Sequence, residues 1–151
     1  MVEASSLVKR APLGARCLFS LLPSTSHATN LMYMPFETVL SQALRAGRLD
    51  GCVKFYLVGE TLPKQVRKLY TVSSSRKTNG SNKSDEDACF WALQSALATL
   101  QNAAKKADAN AVINIASVDQ RDLYKDTEKF QCRAGLVVSS VALRGDLAHV
   151  D

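Results

Sequence analysis

Apolar side chains recur at three- and four-residue steps through Cys89, Leu93, Ala96, Leu97, Leu100, Ala103, Ala104 and Ala107, the spacing of one face of an α-helix. Ser84 stands where an N-cap belongs. Asp85, Glu86 and Asp87 fill the first turn, where free amides and the helix dipole favour each carboxylate by about 0.3–1 kcal/mol. Lys105 and Lys106 close the last turn with the complementary sign. The pattern predicts a helix over residues 84–107 that runs directly into the apolar strand Ala111-Val112-Ile113-Asn114-Ile115, and its alanines predict close packing on a sheet.

Upstream, Phe36, Val39, Leu40, Ala43 and Leu44 fall at helical spacing and Gly47 supplies a stop, which predicts a short helix after a short strand opening at Leu31. Residues 52–58 are rich in β-formers and read as a strand with Cys52 buried at its start as a small hydrophobe. Residues 68–73 read as its hairpin partner. Residues 73–83 hold Ser, Asn, Thr, Gly and three cations with no large apolar side chain past Ser73, and so predict a loop. After the strand over residues 110–118 come a charged, hairpin-like span to residue 129 and one long apolar strand over residues 130–143, with Gly145 marking its end. The predicted order is β-α-β-β-α-β-β. The fold class is therefore α+β: a small, mainly antiparallel sheet packed against one long and one short helix in two layers.

At 151 residues and 46% hydrophobic, the chain is long enough for one cored domain, assigned to residues 29–151. Residues 1–28 read as a signal peptide or basic leader. Lys9, Arg10 and Arg16 precede the apolar run Leu18-Phe19-Ser20-Leu21-Leu22, a Pro23 break and Ser26-His27-Ala28, which has the small-x-small shape of a cleavage site. Arg16 directly before Cys17 argues against lipid attachment there. No stretch approaches the roughly 18 apolar residues that span a bilayer, so the mature protein is expected to be soluble and periplasmic. The whole chain carries +5; without residues 1–28 there remain 16 basic against 13 acidic residues, weak grounds for a nucleic-acid partner.

Export changes how the cysteines are read, because oxidising compartments favour disulfides over thiol chemistry. We expect Cys89, on the long helix, to bond Cys132, at the start of the last apolar strand. Closing a loop of about 43 residues is worth roughly 4 kcal/mol on the chain-entropy account. No two of Cys52, Cys89 and Cys132 have zinc-ligand spacing, and His27 and His149 lie at the extremes of the chain, so no metal site is expected. Asp85 with Glu86 is accounted for by helix-start electrostatics, and Asp119 with Asp122 by a solvated loop. No phosphate-binding, nucleophile-elbow or zinc-protease motif occurs, and neither catalysis nor a cofactor is indicated. The best binding feature is basic: Lys64, Arg67, Lys68, Arg76, Lys77 and Lys83, interleaved with Tyr70, with Arg76, Lys77, Thr78, Asn79 and Lys83 as the candidate binding loop. Trp91 is expected at the edge between helix and sheet.

The segments Arg76-Lys77-Thr78-Asn79, Lys83-Ser84-Asp85-Glu86-Asp87-Ala88-Cys89, Trp91-Ala92-Leu93, Ser95-Ala96-Leu97, Ala109-Asn110-Ala111-Val112-Ile113-Asn114-Ile115, Cys132-Arg133-Ala134-Gly135 and Val141-Ala142-Leu143-Arg144-Gly145 carry a resemblance. Together they resemble a family of small exported proteobacterial proteins, many of which bear the label "excinuclease ATPase subunit"; the Walker motifs and zinc cysteines of that activity do not occur here. More distantly, the helix followed by an Ala-Asn-Ala-Val strand is similar to the YbjQ-like heavy-metal-binding domain and to the envelope stress sensor RcsF. The resemblance implies a small sheet flanked by helices, a homo-oligomer in the YbjQ-like case, and Cys89 and Cys132 as the family's cysteines. The expected function is a periplasmic, non-enzymatic binding or envelope-stress-associated module with a protein partner in the cell envelope. The alternative is a metal- or nucleic-acid-binding protein using free thiols or the basic loop.

Overall fold

The computed structural model describes residues 30–151, so the leader, Cys17 and His27 lie outside the described residues. The order is β1 (Asn30–Pro35), α1 (Phe36–Arg45), β2 (Lys54–Leu57), β3 (Val66–Asn79), α2 (Asp85–Lys106), β4 (Ala111–Asp119), β5 (Asp122–Tyr124), β6 (Lys129–Ala134) and β7 (Val138–Val150). The fold is α+β.

α2 begins and ends where local chemistry dictates, whereas the first amide of α1, on Phe36, donates to the distant Glu128 carbonyl at 2.9 Å. Ser84 keeps an extended backbone and its Oγ accepts from the Asp87 amide at 3.1 Å, satisfying a donor that the first turn of α2 cannot. At the other end Asp108 takes a left-handed φ of 59°, which lets its amide reach the Lys105 carbonyl and the Ala109 amide reach the Ala104 carbonyl at 2.8 Å. This Schellman closure turns the chain sharply into β4. α1 ends before Gly47, whose φ is 77°.

β7 is the spine of one seven-stranded sheet. β3 runs antiparallel along one side of it, from Val66 opposite Val150 to Asn79 opposite Val138. The other side is shared: β6 meets β7 at Arg133 and Ser140, and β4 takes over from Ser117 opposite Leu143 to Ala111 opposite Ala148. β1 extends the sheet antiparallel to β6, β5 antiparallel to β4, and β2 parallel to β4. Alternation along β7 sends Val141, Leu143 and Leu147 into the main core, where they meet Phe36 and Val39 of α1 and Leu93, Leu97 and Leu100 of α2. Ala148 and Val150 point the other way, into a small second cluster with Ala111 and Ile113 against Tyr56 and Leu62.

Several expectations are corrected. β2 and β3 form no hairpin; β2 pairs with β4, because the polar β3, fourteen residues long, finds its ladder on β7 while Phe55 and Leu57 of β2 need a buried neighbour. The predicted loop over residues 73–83 is strand as far as Asn79, since a strand with open sides needs hydrogen bonds more than apolar side chains. Residues 130–143 are two strands broken at Gly135 rather than one. Gly145 does not end β7 but lies inside it: a Cβ there would come within 2.8 Å of Val112 Cγ1 and 3.1 Å of Ile115 Cγ1. Leu44 is exposed. Cys52 is also exposed, in the turn before β2, with its amide donating to Asp50 Oδ1 at 2.9 Å.

Candidate interaction site

The residues singled out as a binding loop share the end of β3 and the turn that follows. Arg76, Lys77, Thr78 and Asn79 are its last four residues. Lys83 folds back so that its Nζ donates to the Asn79 carbonyl at 3.2 Å, and Asn79 Oδ1 accepts from the Ser81 amide at 2.8 Å. The Gly80 amide donates to the Val137 carbonyl at 2.6 Å, holding this turn against the β6–β7 hairpin. The tip of that hairpin presents three consecutive exposed aliphatics, Leu136 at 77%, Val137 at 62% and Val138 at 44% exposure. They were not anticipated, because residues 130–143 read as a single buried strand.

Beside this strand end lies a groove of about 390 Å³ between β3 and α2, lined by Arg76, Lys77, Ser95, Ala98, Thr99 and Asn102. Arg76 Nε donates to Thr99 Oγ1 at 3.0 Å, fixing the guanidinium across it. Ser74, the buried residue of β3, donates from Oγ to the Ala96 carbonyl at 3.1 Å, which draws the helix close to the strand. Residues 61–84 contain six cations, Lys64, Arg67, Lys68, Arg76, Lys77 and Lys83, and no acid. The helix side of the groove was overlooked in the sequence because Ser95, Ala98, Thr99 and Asn102 read only as the solvated flank of an amphipathic helix.

A second polar cluster occupies the opposite face of the sheet. Asp146 on β7 is 8% exposed and accepts from Thr71 Oγ1 at 2.5 Å, from Asn114 Nδ2 at 3.0 Å and from Lys68 Nζ at 3.4 Å. Burial pushes its carboxyl up, but these three donors outweigh burial and hold it below the usual carboxylate range. Both neighbouring strands shift register here, β3 between Lys68 and Thr71 and β4 between Ile113 and Ala116. A carboxylate met only by donors is a structural clip for two bulges, not an acid or base poised for chemistry.

Of the two sequence-predicted carboxylate pairs, Asp122 is exposed opposite Asp119 in the β4–β5 hairpin, and the others have structural roles. Asp119 is bound by Arg133 through Nε at 2.9 Å and Nη2 at 2.6 Å, and this pairing lowers its pKa. Asp85, Glu86 and Asp87 open α2. Trp91 is part-exposed on α2, with the Arg48 guanidinium 3.7 Å over its ring. Cys89 and Cys132, both buried, have their sulfurs 2.04 Å apart with Cα atoms 5.9 Å apart, tying the first turns of α2 to the centre of β6. Among the described residues no three His, Cys, Asp or Glu side chains gather as a metal would require.

Compared with models of known families, with curated proteins and with solved structures, the chain matches none. Among the described residues no helix is long and apolar enough to cross a membrane.

Proposed function

We propose that this chain is an exported, non-enzymatic binding module of the cell envelope, associated with envelope stress, which meets a protein partner at the end of β3 and the turn through Lys83. The Cys89–Cys132 disulfide carries the reading, since a bridge of this kind is compatible with an oxidising, exported compartment and is rare in a reducing cytosol. The basic strand end, the groove beside it and the aliphatic hairpin tip support a surface built for contact. The resemblance to small exported proteobacterial proteins and to RcsF points the same way.

Mass spectrometry of the periplasmic fraction tests it. The expected species begins after the leader, holds a Cys89–Cys132 crosslink and has one alkylatable thiol, Cys52. A cytosolic protein with all of its thiols reactive overturns it.

The acid-free basic span favours one second reading, a nucleic-acid-binding protein. Binding to single-stranded DNA that falls steeply with salt would support it, and no binding at about 50 mM salt removes it. The metal-binding version needs reduced protein, because oxidation leaves Cys52 as the only free thiol among the described residues.

A further inference from the structure

We propose that the open edge of β3 over residues 71–79 accepts an extended acidic polypeptide as an added strand, lying in the groove between β3 and α2. This rests on the binding-module reading and names its partner's chemistry.

The edge is regular where it must be. From Thr71 opposite Asp146 to Asn79 opposite Val138, β3 keeps unbroken register with β7, and among the described residues no strand pairs with its other side. Such an edge presents alternate amides and carbonyls outward, the template for strand addition. Edges of this length are commonly blunted by a covering helix or loop. Here α2 stands beside the edge and leaves a groove, walled by the small side chains of Ser95, Ala98, Thr99 and Asn102. An added strand would send alternate side chains toward that wall and the others to solvent.

Charge selects the occupant. Of the six cations of residues 61–84, Lys68 is paired with Asp146 and Lys83 folds back on Asn79, but Arg76, anchored through Nε to Thr99, and Lys77 stand on the edge itself with no acid paired to either among the described residues. A second copy of this chain paired through the same edge would bring two strands that carry Arg76 and Lys77 and no acid side by side, a like-charge arrangement that disfavours self-pairing. A nucleic acid could neutralise the charge but has no peptide ladder to offer the edge.

The probe is a fluorescent peptide of alternating glutamate and valine, as long as residues 71–79, titrated into the oxidised full-length protein at about 50 mM salt. Binding is expected, with amide exchange slowed at alternate positions of residues 71–79. N-methylation of alternate peptide amides should weaken binding at least about tenfold, by removing ladder donors. The double variant Arg76→Glu with Lys77→Glu should weaken it by roughly tenfold, and Lys125→Glu, on an exposed loop after β5, should leave it unchanged. Four results overturn the proposal: no binding, indifference to N-methylation, tighter binding of oligo-dT, or protection of the same amides by concentration-dependent dimerisation without peptide. None of them touches export or the disulfide, which mass spectrometry reads separately, so the two readings fail independently.

Discussion

Asn114 Nδ2 donates to Asp146 Oδ2 at 3.0 Å, and Asn114 is a residue within a strand whose φ, 54°, is left-handed. The bond ties the bulge of β4 to the spine of the sheet. Asn tolerates that backbone better than most residues, but the conformation still has a cost that the Asp146 carboxylate offsets.

Asp146 makes stability depend on acid. Its folded pKa is depressed, so the unfolded chain binds the proton more readily; the contribution is fully present above the ordinary Asp value of about 3.9 and is lost as pH falls through the lower folded value. Asp146→Asn should lower stability at neutral pH and flatten that acid limb. Urea melts between about pH 2 and 7 check both, and an unchanged limb would show that Asp146 does not set it.

Removing the disulfide should be the costliest single chemical change. Its loop of 43 positions predicts a loss of roughly 4 kcal/mol for the oxidised protein on reduction, less whatever order the reduced unfolded chain retains. Denaturant melts with and without reductant measure it. The paired variant Cys89→Ala with Cys132→Ala should lose more, because both side chains are buried and leave space behind.

Gly145→Ala probes the packing behind the clip. The new methyl would stand 3.3 Å from the Ile113 carbonyl oxygen and closer still to Val112 and Ile115, so a loss of about 1–3 kcal/mol is expected. A neutral effect in thermal melts would mean that β4 can shift away at little cost.

Ser84→Ala should cost about 1 kcal/mol by leaving the Asp87 amide without its acceptor. Ser84→Asp should retain most of that stability, since its carboxylate can accept the same bond. Chemical denaturation of both variants provides the check.

Where a helix is concerned, the sequence was nearly sufficient. Ser84, the acidic first turn and the stripe from Cys89 to Ala104 mark α2 within a residue at each end, because capping and periodicity are local. Strand partners are not local. Val72 and Ser74 alternate as a strand should, yet nothing near them says that β7, some seventy residues on, is their neighbour. The aliphatic run Leu136-Val137-Val138 looked like core because hydrophobicity reports burial only on average, and a hairpin tip can leave such residues in water. Of the candidate site, the cations were legible as charge. The groove was not, since it exists only once α2 lies beside β3.

That distance between partners governs how the molecule must come together. β1 waits for β6, β2 for β4 and β3 for β7; the three strands of the first half make no sheet with one another. A nascent chain therefore has helices to form early, whereas its first-half strands find partners only as β4, β6 and, for β3, the final residues of β7 emerge, and ring closures of this span slow the search. A chain ending before Val138 should have no refuge for β3 and should be handed to proteases rather than folded, however complete its helices.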